Sequence, residues 1–107
     1  MTLSAQARVP TTHASKYLQQ LCKHWGHKLE VTFTPDQGRI VFPATARGAD
    51  WPSDAVLALD ADDAALTCRL RASHPGQLAG LKDAIARHID RFAFKEAPLA
   101  FDWRDAV

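Results

Sequence analysis

The chain has little with which to staple itself. Its 107 residues hold two cysteines, Cys22 and Cys68, each inside an apolar pattern, so the disulfide framework that small secreted domains rely on is not indicated. Long apolar runs are missing as well. Nothing approaches the roughly 20 residues of a membrane-spanning helix, and the opening MTLSAQARVP lacks the basic-then-apolar order of a secretory leader. Net charge is nearly absent, with 13 Lys and Arg against 12 Asp and Glu. Without a basic stripe along the chain, neither nucleic acid nor a membrane is an expected partner. The five glycines are isolated, and Gly76 and Gly80 do not make a phosphate-cradling loop. These absences leave one cytoplasmic domain spanning residues 1–107, with reduced thiols and enough apolar residues for a single core.

What is present is periodicity. Leu3, Ala5, Ala7 and Val9 alternate with polar residues, which predicts a half-buried strand ended by Pro10. Thr11 and Thr12 offer capping hydroxyls for a helix over His13–Trp25, where Ala14, Tyr17, Leu18, Leu21, Cys22 and Trp25 share one arc. Gly26 stands where a left-handed terminating residue is expected. Leu29, Val31 and Phe33 alternate into the turn TPDQGR, and Ile40–Phe42 returns as the second arm of a hairpin. PATARGADWPSD has no period and reads as a loop. AVLALDADDAALTCRLRA gives two strands around an acidic turn from Asp60 to Asp63, with Leu66, Cys68 and Leu70 facing the core. A second helix starts near Pro75 with Leu78, Leu81, Ile85, Ile89 and Phe92 as its stripe. Leu99, Phe101 and Trp103 alternate again, predicting an extended strand or arm that pairs with its own sheet or with a neighbouring chain's edge, and leaving the oligomeric state open.

The element order is therefore β-α-β-β-β-β-α followed by a short strand. Two helices cannot bury their stripes on each other and also cover a sheet of that size. The expected fold is α+β, two-layered, an antiparallel sheet with both helices on one face. TATA-box-binding-like and helix-grip folds share this order, as an analogy of architecture only.

Candidate chemistry concentrates in CKHWGHK, residues 22–28. Cys22 and Trp25 belong to the apolar arc, and His24 lies at its margin in the last turn, where a partly charged imidazole complements the helix dipole. His13 and His24 sit about 16 Å apart on a helix and cannot share a metal. His24 and His27 have chelating spacing, but Gly26 intervenes, and zinc requires three or four convergent ligands. His88 falls inside the apolar arc of the second helix with Arg91 on its flank, either as a core histidine or as a ligand or titrating group in a pocket between helix and sheet. Ser15 has no visible activating base. Asp60, Asp62 and Asp63 lack the glycine and distal glutamate of a calcium loop. Trp51, in the irregular loop, is either an exposed contact or a cover for a sheet edge.

HASKYLQQLCKHWGHK, VTFTPDQGRIVFP and HIDRFAFKEAPLAFDW together resemble the bacterial family called domain of unknown function 2218, over nearly the whole chain. Tyr17, Cys22, His24, Trp25, His88, Arg91, Phe92 and Trp103 occupy its most recognisable motifs. Members occur alone or joined to siderophore-interacting proteins, flavin enzymes that reduce ferric siderophores with a nicotinamide cofactor. The resemblance implies an accessory role in iron acquisition, with such a reductase or a ferric siderophore as partner, and it carries over no catalytic residue.

Three functions follow as expectations. The first is a non-catalytic binding or interaction module, using His24, His27, His88 and Arg91 with Trp25 and Trp103 as pocket walls; Arg91 would pair with an acidic ligand. The second is a histidine-based metal or haem protein in which His24 or His27 converges with His88 or Cys68, taking iron or zinc; the first requires no cofactor. The third is a small enzyme, for which no acid–base pair or activated nucleophile is visible.

Overall fold

A computed structural model describes residues 3–45 and 48–106. The elements run β1 (Leu3–Pro10), α1 (Ala14–Trp25), β2 (Glu30–Phe33), β3 (Gln37–Phe42), β4 (Ala55–Ala61), β5 (Ala65–Ala72), α2 (Pro75–Phe92) and β6 (Arg104–Ala106). The six strands form one antiparallel sheet in the order β2-β3-β4-β5-β1-β6. The expected α+β class and element order hold.

Register explains which face is dry. Ala5 pairs Leu70, Ala7 pairs Cys68 and Val9 pairs Leu66, while Leu57 pairs both Ile40 and Leu70. All of these are buried, and they cluster with Leu18, Leu21, Ile85 and Ile89 from the two helices. The intervening residues Arg39, Arg69 and Arg71 are exposed on the other face. A period of two on each strand thus assigns one whole face to the helices. The chain's β5 carries the strongest pattern and ends up flanked by β1 and β4. No helix among the described residues is long and apolar enough to cross a membrane.

Three local expectations are corrected. Gly26 is right-handed, at φ −61° and ψ −17°: its N–H donates to the Cys22 carbonyl, and the Lys28 and Leu29 N–H groups both donate to Trp25, so the helix winds on into a turn with no left-handed residue. The α1 helix begins at Ala14 after His13, with no side-chain cap. Thr11 does not cap it, accepting instead from the His13 N–H and donating to Glu96. Residues 99–103 are not a strand; Leu99, Phe101 and Trp103 pack against the core, and only Arg104–Ala106 pairs, with β1 of its own sheet.

Candidate functional site

The two helices meet where α1 ends and α2 passes its midpoint. His24, in the last turn of α1, brings its ring to 5.3 Å from the His88 ring of α2 and 5.9 Å from Phe92. Trp25 turns inward, 4.7 Å from His88 and edge-on to Phe42 of β3 at 5.1 Å. Each step follows from sequence position: Trp25 continues the buried arc of α1, His24 is its outer neighbour, and His88 stands one turn before Phe92 on α2. The His88 Nδ1–H donates to the Ala84 carbonyl at 2.6 Å. This leaves Nε2 with a free lone pair.

Beside His88 opens a cleft of about 510 Å³, inside the range that small-molecule sites occupy. Its walls are Trp25, Phe42, Trp51 and Leu81; Lys28, Arg87 and His88 supply its charged or titratable groups. Trp51 arrives from the loop between β3 and β4 and lies over the start of α2. Its ring is 5.1 Å from that of His74, and a Cβ on Gly76 would come within 3.0 Å of it. Trp51 thus covers a helix start and no sheet edge. Gln77 also lines the cleft, but its amide is spent on the Ser53 carbonyl and on Ser73. Among the described residues the lining has no carboxylate, hydroxyl or thiol.

The groups that bear on His24 are mainly cationic. Burial lowers the His24 pKa, and the charges of His88, Arg91, His27 and Lys28 lower it further. Desolvation and the positive groups around it thus oppose the charged imidazole that the helix end would favour at His24. Of the acids on α2, Asp83 is bound to Arg87 at 2.8 Å and Asp90 accepts from the Leu99 N–H. Lys28, Arg87 and Arg91 come near the histidine pair because residues 24–28 and 87–91 are brought together only by folding.

The sequence-derived candidates separate accordingly. His88 and Trp25 line the cleft, whereas His24, His27, Arg91 and Trp103 do not. His24 packs on His88 from outside the lining, Arg91 bears on His24 through its charge, His27 is exposed in the turn after α1, and Trp103 stacks on Phe101 at 6.2 Å. Cys68 is fully buried in β5. No group of three or more His, Cys, Asp or Glu side chains converges as a metal site among the described residues. The sequence raises Trp51 only as a contact or an edge cover, and Lys28 only as the end of CKHWGHK; Phe42 and Arg87 are not candidates in it, and the nearness of Arg87 to His88 in sequence is the available signal.

A second polar cluster was also invisible. The Glu96 carboxylate accepts from the Tyr17 hydroxyl, from Thr11 Oγ1 at 3.0 Å and from His13 Nδ1 at 3.2 Å. Burial and the neighbouring Glu96 push the Tyr17 phenol up to about 12; the Tyr17 hydrogen bond holds the Glu96 carboxyl below its usual range. With its acceptor capacity engaged by three donors, this cluster clasps the segment after α2 to the start of α1.

The profile of a bacterial family described as an uncharacterised protein conserved in bacteria, DUF2218, matches residues 6–104. The chain belongs to that family. It is similar to PA4090 from Pseudomonas aeruginosa, whose NMR structure aligns with a TM-score of 0.68 at 31% identity, covering 97% of this chain and 96% of that one. No curated protein matches the chain.

Proposed function

We propose that this DUF2218 protein is a non-catalytic binding module whose ligand is a small acid with a flat apolar body. The observation that carries the reading is the cleft itself: aromatic walls from Trp25, Phe42 and Trp51, with Lys28, Arg87 and His88 as its charged or titratable groups. Aromatic walls stack on a planar body and bury it. Lys28, together with Arg87 even though the latter is shared with Asp83, favours a carboxylate or phenolate head. Among the described residues the lining offers no hydroxyl, thiol or carboxylate, which favours binding over catalysis.

Family resemblance adds the setting. A catecholate siderophore is aromatic and acidic, and one arm of it, free or as the ferric chelate, matches a cleft of this size. A cytoplasmic flavin-dependent ferric reductase is then the partner that would receive or supply it. The rival reading, a histidine metal site, draws on the 5.3 Å approach of His24 and His88. It is disfavoured by the lack of a third converging ligand and by the positive surroundings, which repel a divalent ion.

Tryptophan emission separates the two. Trp25 and Trp51 both line the cleft, so saturable quenching by 2,3-dihydroxybenzoate or its ferric chelate, reduced in a Trp51→Phe variant, is the expected result. Saturation by zinc or haem with no response to the aromatic acid would replace this reading with the metal one. A flat response to every probe would remove the cleft as a binding site.

A further inference from the structure

The cleft also indicates how it would tell an acid from a neutral molecule. His88 is the one titratable imidazole among its lining residues. Its Nδ1–H is committed to the Ala84 carbonyl, so only Nε2 can take or give a proton as conditions change. The His24 ring, which does not line the cleft, stands 5.3 Å from the His88 ring. Two imidazoles this close resist being charged together.

The remaining neighbours act in the same direction. The turn after α1 contributes His27 and Lys28, and α2 contributes Arg87 and Arg91, with Arg87 held by Asp83. Among the described residues the sheet contributes Phe42 to the lining, and the loop after it Pro43, Ala49 and Trp51. Asp50 is exposed beside them and does not line the cleft. With the cleft empty, Arg91 and Lys28 oppose a proton on His24, while the two carboxylates of α2 nearby in sequence are engaged, Asp83 by Arg87 and Asp90 by the Leu99 N–H. An acid head placed against Nε2 reverses that balance, because a negative charge stabilises the imidazolium.

We infer that His88 is the residue that meets the acid head of the ligand, and that the His24–His88 pair takes up one proton as the acid enters the cleft. The inference rests on the cleft-binding reading above and adds to it a named receptor group and a proton. Linkage fixes the sign: binding that takes up a proton weakens as pH rises. Lys28 and Arg87 attract the acid head independently of the imidazole's proton. His24 acts through His88 and is a positioning residue.

Naphthoate, an aromatic acid ionised throughout, and naphthamide, its uncharged counterpart, serve as probes by calorimetry of the full chain between about pH 5.5 and 8.5. Naphthoate affinity is expected to fall by up to about tenfold per pH unit within that window. Its binding heat should vary with the ionisation enthalpy of the buffer by close to one proton, while naphthamide binds independently of pH. His88→Gln should flatten the naphthoate profile while keeping naphthamide affinity, which shows that the variant is folded. His24→Gln should keep the slope but move it to higher pH, since one competing charge is gone. Naphthoate binding that is flat with pH, or a His88→Gln profile that keeps the wild-type slope, overturns the proton-linked receptor while naphthamide binding keeps the cleft. Failure of both probes to saturate at any pH overturns the cleft reading, and this inference with it.

Discussion

At the scale of single residues, the tightest constraint is where α1 lies on β3. A Cβ added to Gly38 would stand 2.8 Å from Cys22 Sγ and 3.4 Å from Leu18. The thiol belongs to a fully buried residue and cannot swing aside. Gly38→Ala is therefore expected to cost about 1–3 kcal/mol, the range for overpacking a filled core. Adding Cys22→Ala should recover part of that cost, and urea unfolding of the two single variants and the double one gives the coupling. Additive losses would mean that the helix shifts as a unit. The Glu96 clasp makes a second residue-level prediction. Its carboxyl titrates below its usual value in the folded chain, so its contribution is complete above about pH 4.3 and fades as pH falls through the folded value. The Tyr17 phenol is raised to about 12, so its contribution is complete below about pH 10 and fades as pH rises. The melting-temperature gap between wild type and Glu96→Gln should be widest at neutral pH and narrow in both directions. A gap that persists in acid would mean that Glu96 acts through packing alone. Tyr17 reads as a core residue in sequence, since helical spacing places it on the buried arc; its partner lies 79 residues away, and no local pattern reports that distance.

At the scale of elements, legibility follows period. The buried residues Leu66, Cys68 and Leu70 of β5 alternate strictly, and the arc of α1 repeats at helical spacing; in both, one residue's burial implies the next. Residues 99–103 alternate equally well, yet they pack on the core without pairing. Alternation reports which side faces the core and carries no information on whether a neighbouring strand is present. The loop between β3 and β4 has no period at all, and it supplies the wall of the cleft that sequence did not anticipate. Its seat on α2 depends on the bare Cα of Gly76, where a Cβ would meet Trp51 at 3.0 Å and 3.3 Å and His74 at 3.3 Å. Gly76→Ala is expected to lift Trp51, red-shift its emission and weaken aromatic ligands several-fold. Stability should change by less than about 1 kcal/mol, because the position lies in the first turn of the helix and alanine favours helix there. An unchanged emission maximum would show that Trp51 is held by the rest of its loop.

At the scale of the whole molecule, the cleft and the core are different kinds of object. The cleft draws its walls from positions 25, 42, 51, 81 and 88 and its cations from 28 and 87, and a sequence whose charges nearly cancel gives no hint that folding will segregate them. The core is contiguous across both helices and the central strands, which implies that it opens as one unit. The two thiols report on this directly. Cys22 lies on α1 and Cys68 in β5, both fully buried, and burial pushes them up to about 11 and about 12. Thiolate is the reactive form, so neither should react with a disulfide reagent near pH 8 while the chain is folded. Labelling should then need exposure of the core, and its dependence on urea should match that of global unfolding at both positions. If Cys22 labels with a shallow urea dependence while Cys68 keeps the steep one, α1 detaches alone. The corner that holds His24 against His88 would then open independently of the sheet, and the approach of those two rings would be set by a local equilibrium rather than by the stability of the fold.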